Sequence, residues 1–415
     1  MVISAQLGAS VFLMPSVLAP FHLSGLLGWL TAGIGAVLIT VVFSFLCTKT
    51  GITGGPHIYA GMFFGRTVGF FMTWIYWCAA WACNPIMIAT AINYLMSFVG
   101  DMDTSMKLIC EILLVLSLTF INTRGVKTSG YFDMTLNILK MLPLIIIPII
   151  SMKYIKMENI FAPFPDGSIS SIESISKATL LSFWGFVGLE GGTSPSGCVR
   201  NPRRTIPLAI ILGTSFVAFI CLINTFSIFG VISPSELENV GAPFARIMTV
   251  LFGNHASFEK FIGLMTFLMC AGSLNAWVFF SGQISRSAAN ENIFPEIFKR
   301  TNKFGSPSCS LWISAIGTMI ILFLQKTPLF GDKVVKFLDM SVIVYITLYT
   351  VAILAYIKFA YNNKIRGIVQ ASITILATLF CSFILIKSDI QSFIALAIMI
   401  ATGIPVYLKT NRSHK

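Results

Sequence analysis

The chain has 415 residues, of which 56% are hydrophobic and only 11% charged, with a mean hydropathy of +0.84. A soluble fold of this length needs far more polar surface, so the composition excludes that class and points to a polytopic, all-α integral membrane protein. The net charge of +12 comes with no basic aromatic patch or nucleic-acid motif, so nucleic acid is not an expected partner and the lipid bilayer is.

In chain order, apolar runs long enough to span are predicted at about 2–22, 26–47, 65–98, 106–122, 131–152, 175–195, 207–232, 258–288, 308–325, 334–360, 366–387 and 388–408, or about twelve transmembrane helices. The opening "MVISAQLGASVFLMPS" has no Lys or Arg ahead of its apolar core and runs on into more apolar sequence, so it reads as part of the protein and not as a removable leader. With the N-terminus inside, seventeen Lys and Arg collect on the cytoplasmic side and ten opposite, an expectation of cytoplasmic termini. On this reading the cluster Arg200, Arg203 and Arg204 belongs to the inside bias and not to a substrate site. No linker divides the chain, so 1–415 is read as one transmembrane domain. The nine cysteines are odd in number and never form C-x-x-C, which indicates neither disulfides, a metal site nor a cofactor. His22, His57, His255 and His414 fall at span ends and loops, against a histidine relay inside the membrane.

Two interruptions stand out. Gly8, Ala9 and Ser10 break the first span, and Gly185, Gly188, Gly191 and Gly192 break the sixth. Matching breaks in two halves point to an inverted-repeat transporter with its substrate held where the helices unwind; glycine that merely lets helices pack closely is the alternative. Unwinding frees backbone groups at mid-membrane, tolerable only against a cavity or a ligand. An amino acid offers a carboxylate for the start of one half-helix and an ammonium for the end of the other. Glu190 lies in the second break, where it meets a proton or a cation, or else serves as a hydrogen-bonded structural acid. Lys140 is the one basic residue placed inside a span, two turns after Asp133; it either exchanges protons, its pKa lowered by burial, or makes a structural pairing. Trp184 and Trp277 either face a cation or simply pack. No Ser/His/Asp set, H-E-x-x-H or nucleotide loop is found, so an enzyme is not expected, and no repeated filter motif suggests a channel. Only seven residues precede the first break, roughly 10 Å of helix against the roughly 15 Å of half a bilayer, so a chain that begins late is the expectation.

Four stretches carry a family resemblance: "GASVFLMP" at 8–15, "TGGPHIYAGMFFG" at 53–65, "FVGLEGG" leading into "VRNPRRTIPLA" at 186–209, and "AGSLNAWVFFSGQISRSAANENIFPEIFKRTNKFGSPSCSLW" at 271–312. Together they resemble the amino acid–polyamine–organocation superfamily, and the last is similar to its basic amino-acid/polyamine antiporters, which exchange arginine for agmatine, lysine for cadaverine or ornithine for putrescine. The resemblance covers essentially the whole chain. It implies two inverted five-helix repeats, at about 1–152 and 175–360, with discontinuous helices 1 and 6, and two further helices at about 366–408. It also implies alternating-access antiport of small amino acids or amines without a cofactor, in a bacterial inner membrane, with a homodimer as candidate assembly and a proton-coupled uptake permease as the alternative. Residue by residue, Gly8, Ala9 and Ser10 match the break that receives the substrate carboxylate, although Ser10 carries a Cβ where the family usually has none. Asn84, Met87, Val187, Trp184 and Trp277 match pocket positions, Ala79 and Ala80 fall where backbone carbonyls face the substrate cation, and Glu190 matches a proposed proton sensor. Lys140 departs from the arginine/agmatine pattern and resembles the lysine that stands in for sodium in other permeases of the superfamily, which implies a bridge between the first and eighth spans and no sodium coupling.

Overall fold

The computed structural model describes residues 2–50, 55–161, 171–192, 201–253, 256–326, 334–365 and 367–412, and every regular element among them is helical. Thr53, Gly54, Cys198, Arg200, His255 and His414 lie outside the described residues, as does the side chain of Asp133.

Helix α1 (Val2–Gln6) stops after one turn and α2 (Ala9–Leu18) restarts beyond Gly8. Between them Leu7 N donates to Ile3 O and Gly8 N folds back onto Gln6 O, both at 2.8 Å. A 3-10 turn at Ala19–Phe21, carrying Pro20, leads into the long α3 (His22–Thr50). α4 (Pro56–Phe64) ends at Gly65, whose φ of +91° is a left-handed conformation that suits glycine and turns the chain into α5 (Arg66–Ala82). α5 and α6 (Asn84–Val99) form one span with a step at Cys83. Pro85 has no N–H for the Trp81 carbonyl four residues back, and the Thr318 hydroxyl donates to that carbonyl at 3.0 Å instead.

α7 (Thr104–Thr123) is capped by the Asp103 carboxylate, which accepts from Met106 N at 2.9 Å. α8 (Val126–Ser151) carries Pro143 and Pro148, and the short α9 (Met157–Ile160) follows. α10 (Ile172–Phe183) starts on a Ser171 cap and gives way to 3-10 turns at Trp184–Phe186 and Leu189–Gly192, with Val187 extended and Gly188 at φ +97° between them. Beyond lie α11 (Pro202–Val231), the short α12 (Pro234–Leu237), α13 (Pro243–Phe252), α14 (Ala256–Asn290), α15 (Ser308–Gln325), α16 (Val334–Asn362), α17 (Ile368–Lys387) and α18 (Ile390–Arg412).

Nine stretches among the described residues are long and apolar enough to cross a membrane, against the twelve spans expected. Part of the difference is one of continuity: Ala9–Lys49 holds both α2 and α3, and the sixth expected span is cut into α10 and its two turns. α8 runs unbroken over Val126–Ser151, with side chains ahead of Ile138 in part outside the described residues. Ile34, Ile138, Leu212 and Ile375 are each more than half exposed, the apolar outer surface that lipid covers.

Helices separated by five expected spans lie together: α3 packs on α11, α6 on α14 and α7 on α15. The two breaks also face each other, with α1 against the Leu189–Gly192 turn and α2 against the Trp184–Phe186 turn. Small residues permit the closest of these approaches. A Cβ built on Gly28 of α3 would sit 2.6 Å from the backbone carbon of Ala178 in α10, and one on Gly185 would meet the Trp29 ring at 2.5 Å. Gly28→Ala is therefore expected to lower stability by about 1–3 kcal/mol, seen as an earlier thermal transition in detergent. Gly61→Ala, where the nearest atom is a Gly69 Cα at 3.5 Å, should be neutral or slightly stabilising.

Candidate functional site

The facing breaks border a narrow, partly open cavity lined by Gln6, Gly8, Ala9, Ser10, Cys83, Asn84, Met87, Trp184, Val187, Trp277 and Tyr345, with about 360 Å³ of space free of atoms when its open side is included. Each wall has a local cause. The restart of α2 puts Ala9 and Ser10 in a first turn whose N–H groups have no helical partner. The Pro85 step turns Cys83, Asn84 and Met87 toward the same space. The end of α10 supplies Trp184 and Val187, and α14 supplies Trp277, whose ring meets Tyr345 of α16 edge-on at 5.8 Å.

Ser10 fits its place. Its Cβ is accommodated in the first turn of α2, and its hydroxyl donates at 3.2 Å to the Gln6 carbonyl that the break leaves exposed. Gly8 has φ −102°, and a Cβ there would come within 3.1 Å only of the flexible end of Met87, so this glycine serves space more than backbone freedom.

Glu190 is 1% exposed and lies beside the cavity, not in its wall. Tyr349 Oη donates to its Oε2 at 2.5 Å, and the Tyr76 hydroxyl hydrogen-bonds it as well. Tyr345 stacks edge-on with Tyr76 at 6.1 Å and lines the cavity, so one phenol separates Glu190's hydroxyl shell from the pocket. His57 approaches the shell from the other side. It belongs to α4, outside the stretches long enough to span, yet it is 5% exposed with its ring 5.5 Å from that of Tyr76. Burial pushes its imidazole down to about 4.

Lys140 is also outside the cavity wall. Its Nζ donates to the Leu7 carbonyl at 2.7 Å and reaches Ser273 Oγ at 3.5 Å, and the Ser273 hydroxyl itself donates to Leu7 O at 3.0 Å. The ammonium thus ties α8 to the carbonyl just past α1 and to Ser273 of α14.

Of the residues expected in the site, Gly8, Ala9, Ser10, Asn84, Met87, Trp184, Val187 and Trp277 are brought together in the cavity wall. Ala79 and Ala80 are buried one turn behind it in α5, where the Ala79 carbonyl accepts from Cys83 N at 3.2 Å. Sequence reasoning missed Gln6, Cys83, Tyr345, Tyr349, Tyr76 and Ser273. The pair Tyr345 and Tyr349 in "VIVYITLY" carried a signal, since two hydroxyls four residues apart share a face of an otherwise apolar helix. Gln6 carried none beyond its nearness to the first break, and Ser273, within the unbroken α14, carried none.

A multi-pass helical membrane protein with a largely aromatic and apolar cavity, holding a few polar groups, between two broken helices is of the transporter class. The chain belongs to the amino acid permease family, whose sequence pattern matches residues 1–412. It is 28% identical over 386 residues to the cadaverine/lysine antiporter of Escherichia coli, covering 91% of this chain and 85% of that one. Arginine/agmatine antiporters of Chlamydia felis and Chlamydia trachomatis serovar L2 are each 26% identical, over 438 and 434 residues, covering 100% of this chain and 89% of theirs.

His57 makes stability depend on pH. Its folded value of about 4 lies below the ordinary 6.5, so between these values the unfolded chain binds a proton that the folded one does not. Its contribution is complete above about pH 6.5 and declines as pH falls toward 4, by roughly 3 kcal/mol. Thermal melts across that range should show His57→Gln losing less stability on acidification than the unaltered protein; parallel curves would remove this role.

Proposed function

We propose that the protein is a secondary active antiporter that exchanges cationic amino acids or their decarboxylated amines, such as arginine, ornithine, agmatine and putrescine, by alternating access. The observation that carries this reading is the cavity between the two breaks, with the start of α2 on one side and the indoles of Trp184 and Trp277 on the others. The free N–H groups of Ala9 and Ser10 suit a carboxylate. The indole faces suit an ammonium or guanidinium, at about 0.5–2 kcal/mol each. Asn84, Met87 and Val187 shape the remainder, with the Ala79 and Ala80 carbonyls one turn behind. The printed names of the relatives, cadaverine/lysine and arginine/agmatine antiporters, support the same substrate class.

Glu190 is the proton-binding group in this proposal, linked to the pocket through Tyr345 and Tyr349. The chain is a single domain of twelve spans, two inverted repeats at about 1–152 and 175–360 and two added helices at about 366–408, set in a bacterial inner membrane with both termini cytoplasmic. The pairing of α3 with α11, α6 with α14 and α7 with α15 supports the repeat, because each pair is five spans apart. A homodimer is the proposed assembly. Proton-coupled uptake is the second reading, favoured by the Lys140 ammonium held on the Leu7 carbonyl, a fixed positive charge at the break.

Uptake of labelled arginine into proteoliposomes tests both. Exchange predicts uptake only into vesicles preloaded with arginine, lysine, ornithine or one of their amines; uptake into empty vesicles under an inward proton gradient supports the second reading. Trp277→Leu should raise the apparent KM for cationic substrates about 2- to 30-fold, and an unaltered KM means the indole only packs. Glu190→Gln should flatten the pH dependence of transport more than it changes affinity, and a pH profile left intact removes the proton-binding role.

A further inference from the structure

We infer that the Gln6 side chain is a substrate-binding group, its amide oxygen accepting an N–H from the ammonium end of the amino acid; this rests on the reading of the cavity as a site for cationic amino acids. Gln6 lines the cavity and is 2% exposed. Its Nε2 donates to the Thr214 hydroxyl of α11 at 2.9 Å, which fixes the amide. Its Oε1 is buried and has no hydrogen-bond partner among the described residues.

A buried amide oxygen left unmatched is uncommon, because losing water without gaining a donor is unfavourable. At the wall of a cavity, the donor that completes it arrives with the ligand. An amide oxygen only accepts, so that donor must be an N–H or O–H. On the reading of the cavity as a site for cationic amino acids, the donor that reaches this wall is an ammonium N–H, a charge-assisted partner for an amide oxygen. Three residues beyond Gln6, the first turn of α2 begins at Ala9, and its N–H groups suit a carboxylate. An α-amino acid carries its ammonium and carboxylate on the same carbon, so binding across Gly8 presents the first to Gln6 and the second to Ala9 and Ser10.

Binding to the purified full-length protein in detergent, followed by calorimetry, tests this. The probes are arginine and lysine, each against its analogue lacking the α-ammonium, 5-guanidinopentanoate and 6-aminohexanoate. Gln6→Met keeps length and volume and removes both amide atoms. It should weaken the amino acids about tenfold and leave the analogues within about twofold, collapsing the preference between them. Thr214→Val retains Gln6 and removes its anchor, and should reduce the same preference by a smaller factor. Equal losses for amino acid and analogue in Gln6→Met, or a preference unchanged in it, overturn the inference. Should Gln6→Met fail to fold, Thr214→Val decides, and a lowered melting temperature with intact preference makes Gln6 a strut between α1 and α11. Unaltered protein that binds no cationic amino acid overturns the functional reading and this inference together, whereas tight binding with an unchanged preference overturns the inference alone.

Discussion

Inside a bilayer a backbone N–H or C=O without a partner is strongly disfavoured, and this chain interrupts its helices there twice. The rest of the structure follows from how those freed groups are accommodated. At the first break the Gln6 carbonyl takes the Gly8 N–H and the Ser10 hydroxyl, while Leu7 O takes both the Lys140 ammonium and the Ser273 hydroxyl. At the second, Val187 N and Gly191 N close short turns onto Trp184 O and Gly188 O. The third span follows the same rule with a proline, the Trp81 carbonyl being met by Thr318 from α15. In each case irregular backbone survives because short turns or a neighbouring helix meet its freed groups, and in each case the irregularity turns side chains into one cavity.

The polar interior therefore has two layers. The inner one is the cavity wall, rich in aromatic faces and in the first N–H groups of α2. The outer one holds the ionisable groups, Glu190 among the hydroxyls of Tyr349 and Tyr76, and Lys140 on a backbone carbonyl. Neither charged side chain enters the cavity wall. Tyr345 belongs to both layers: it lines the cavity, and its ring contacts those of Tyr76 and Tyr349.

Much of the inner layer was legible in the sequence. Gly8 to Ser10 and the stretch from Trp184 to Gly192 marked the breaks, because glycines clustered in a span with an acid have few other readings. Asn84, Met87 and Trp277 came from the family resemblance and not from any local pattern. The outer layer was legible only as Glu190 and Lys140. Their hydroxyl and carbonyl partners lie on other segments, between 114 and 159 residues away along the chain, and no periodicity within one span reports a contact between spans. The first two expected spans run together as Ala9–Lys49 and the sixth is broken, since hydropathy registers apolar length and is blind to whether the helix within it is continuous.

The sequence by itself determined that this is a multi-pass membrane protein, which spans are interrupted, and which ionisable residues are enclosed by apolar ones. These follow from composition and local pattern, since the bilayer penalises charge and broken backbone wherever they fall. Only the tertiary structure decided that the two breaks face each other, that Gln6, Cys83 and Tyr345 complete the cavity, and that Lys140 caps Leu7 while Glu190 takes its hydrogen bonds from tyrosines. Those outcomes depend on which helix packs on which and at what rotation. That is settled by close approach at small residues such as Gly28 and Gly185 and by directional hydrogen bonds between distant segments, quantities that exist only once the helices are assembled.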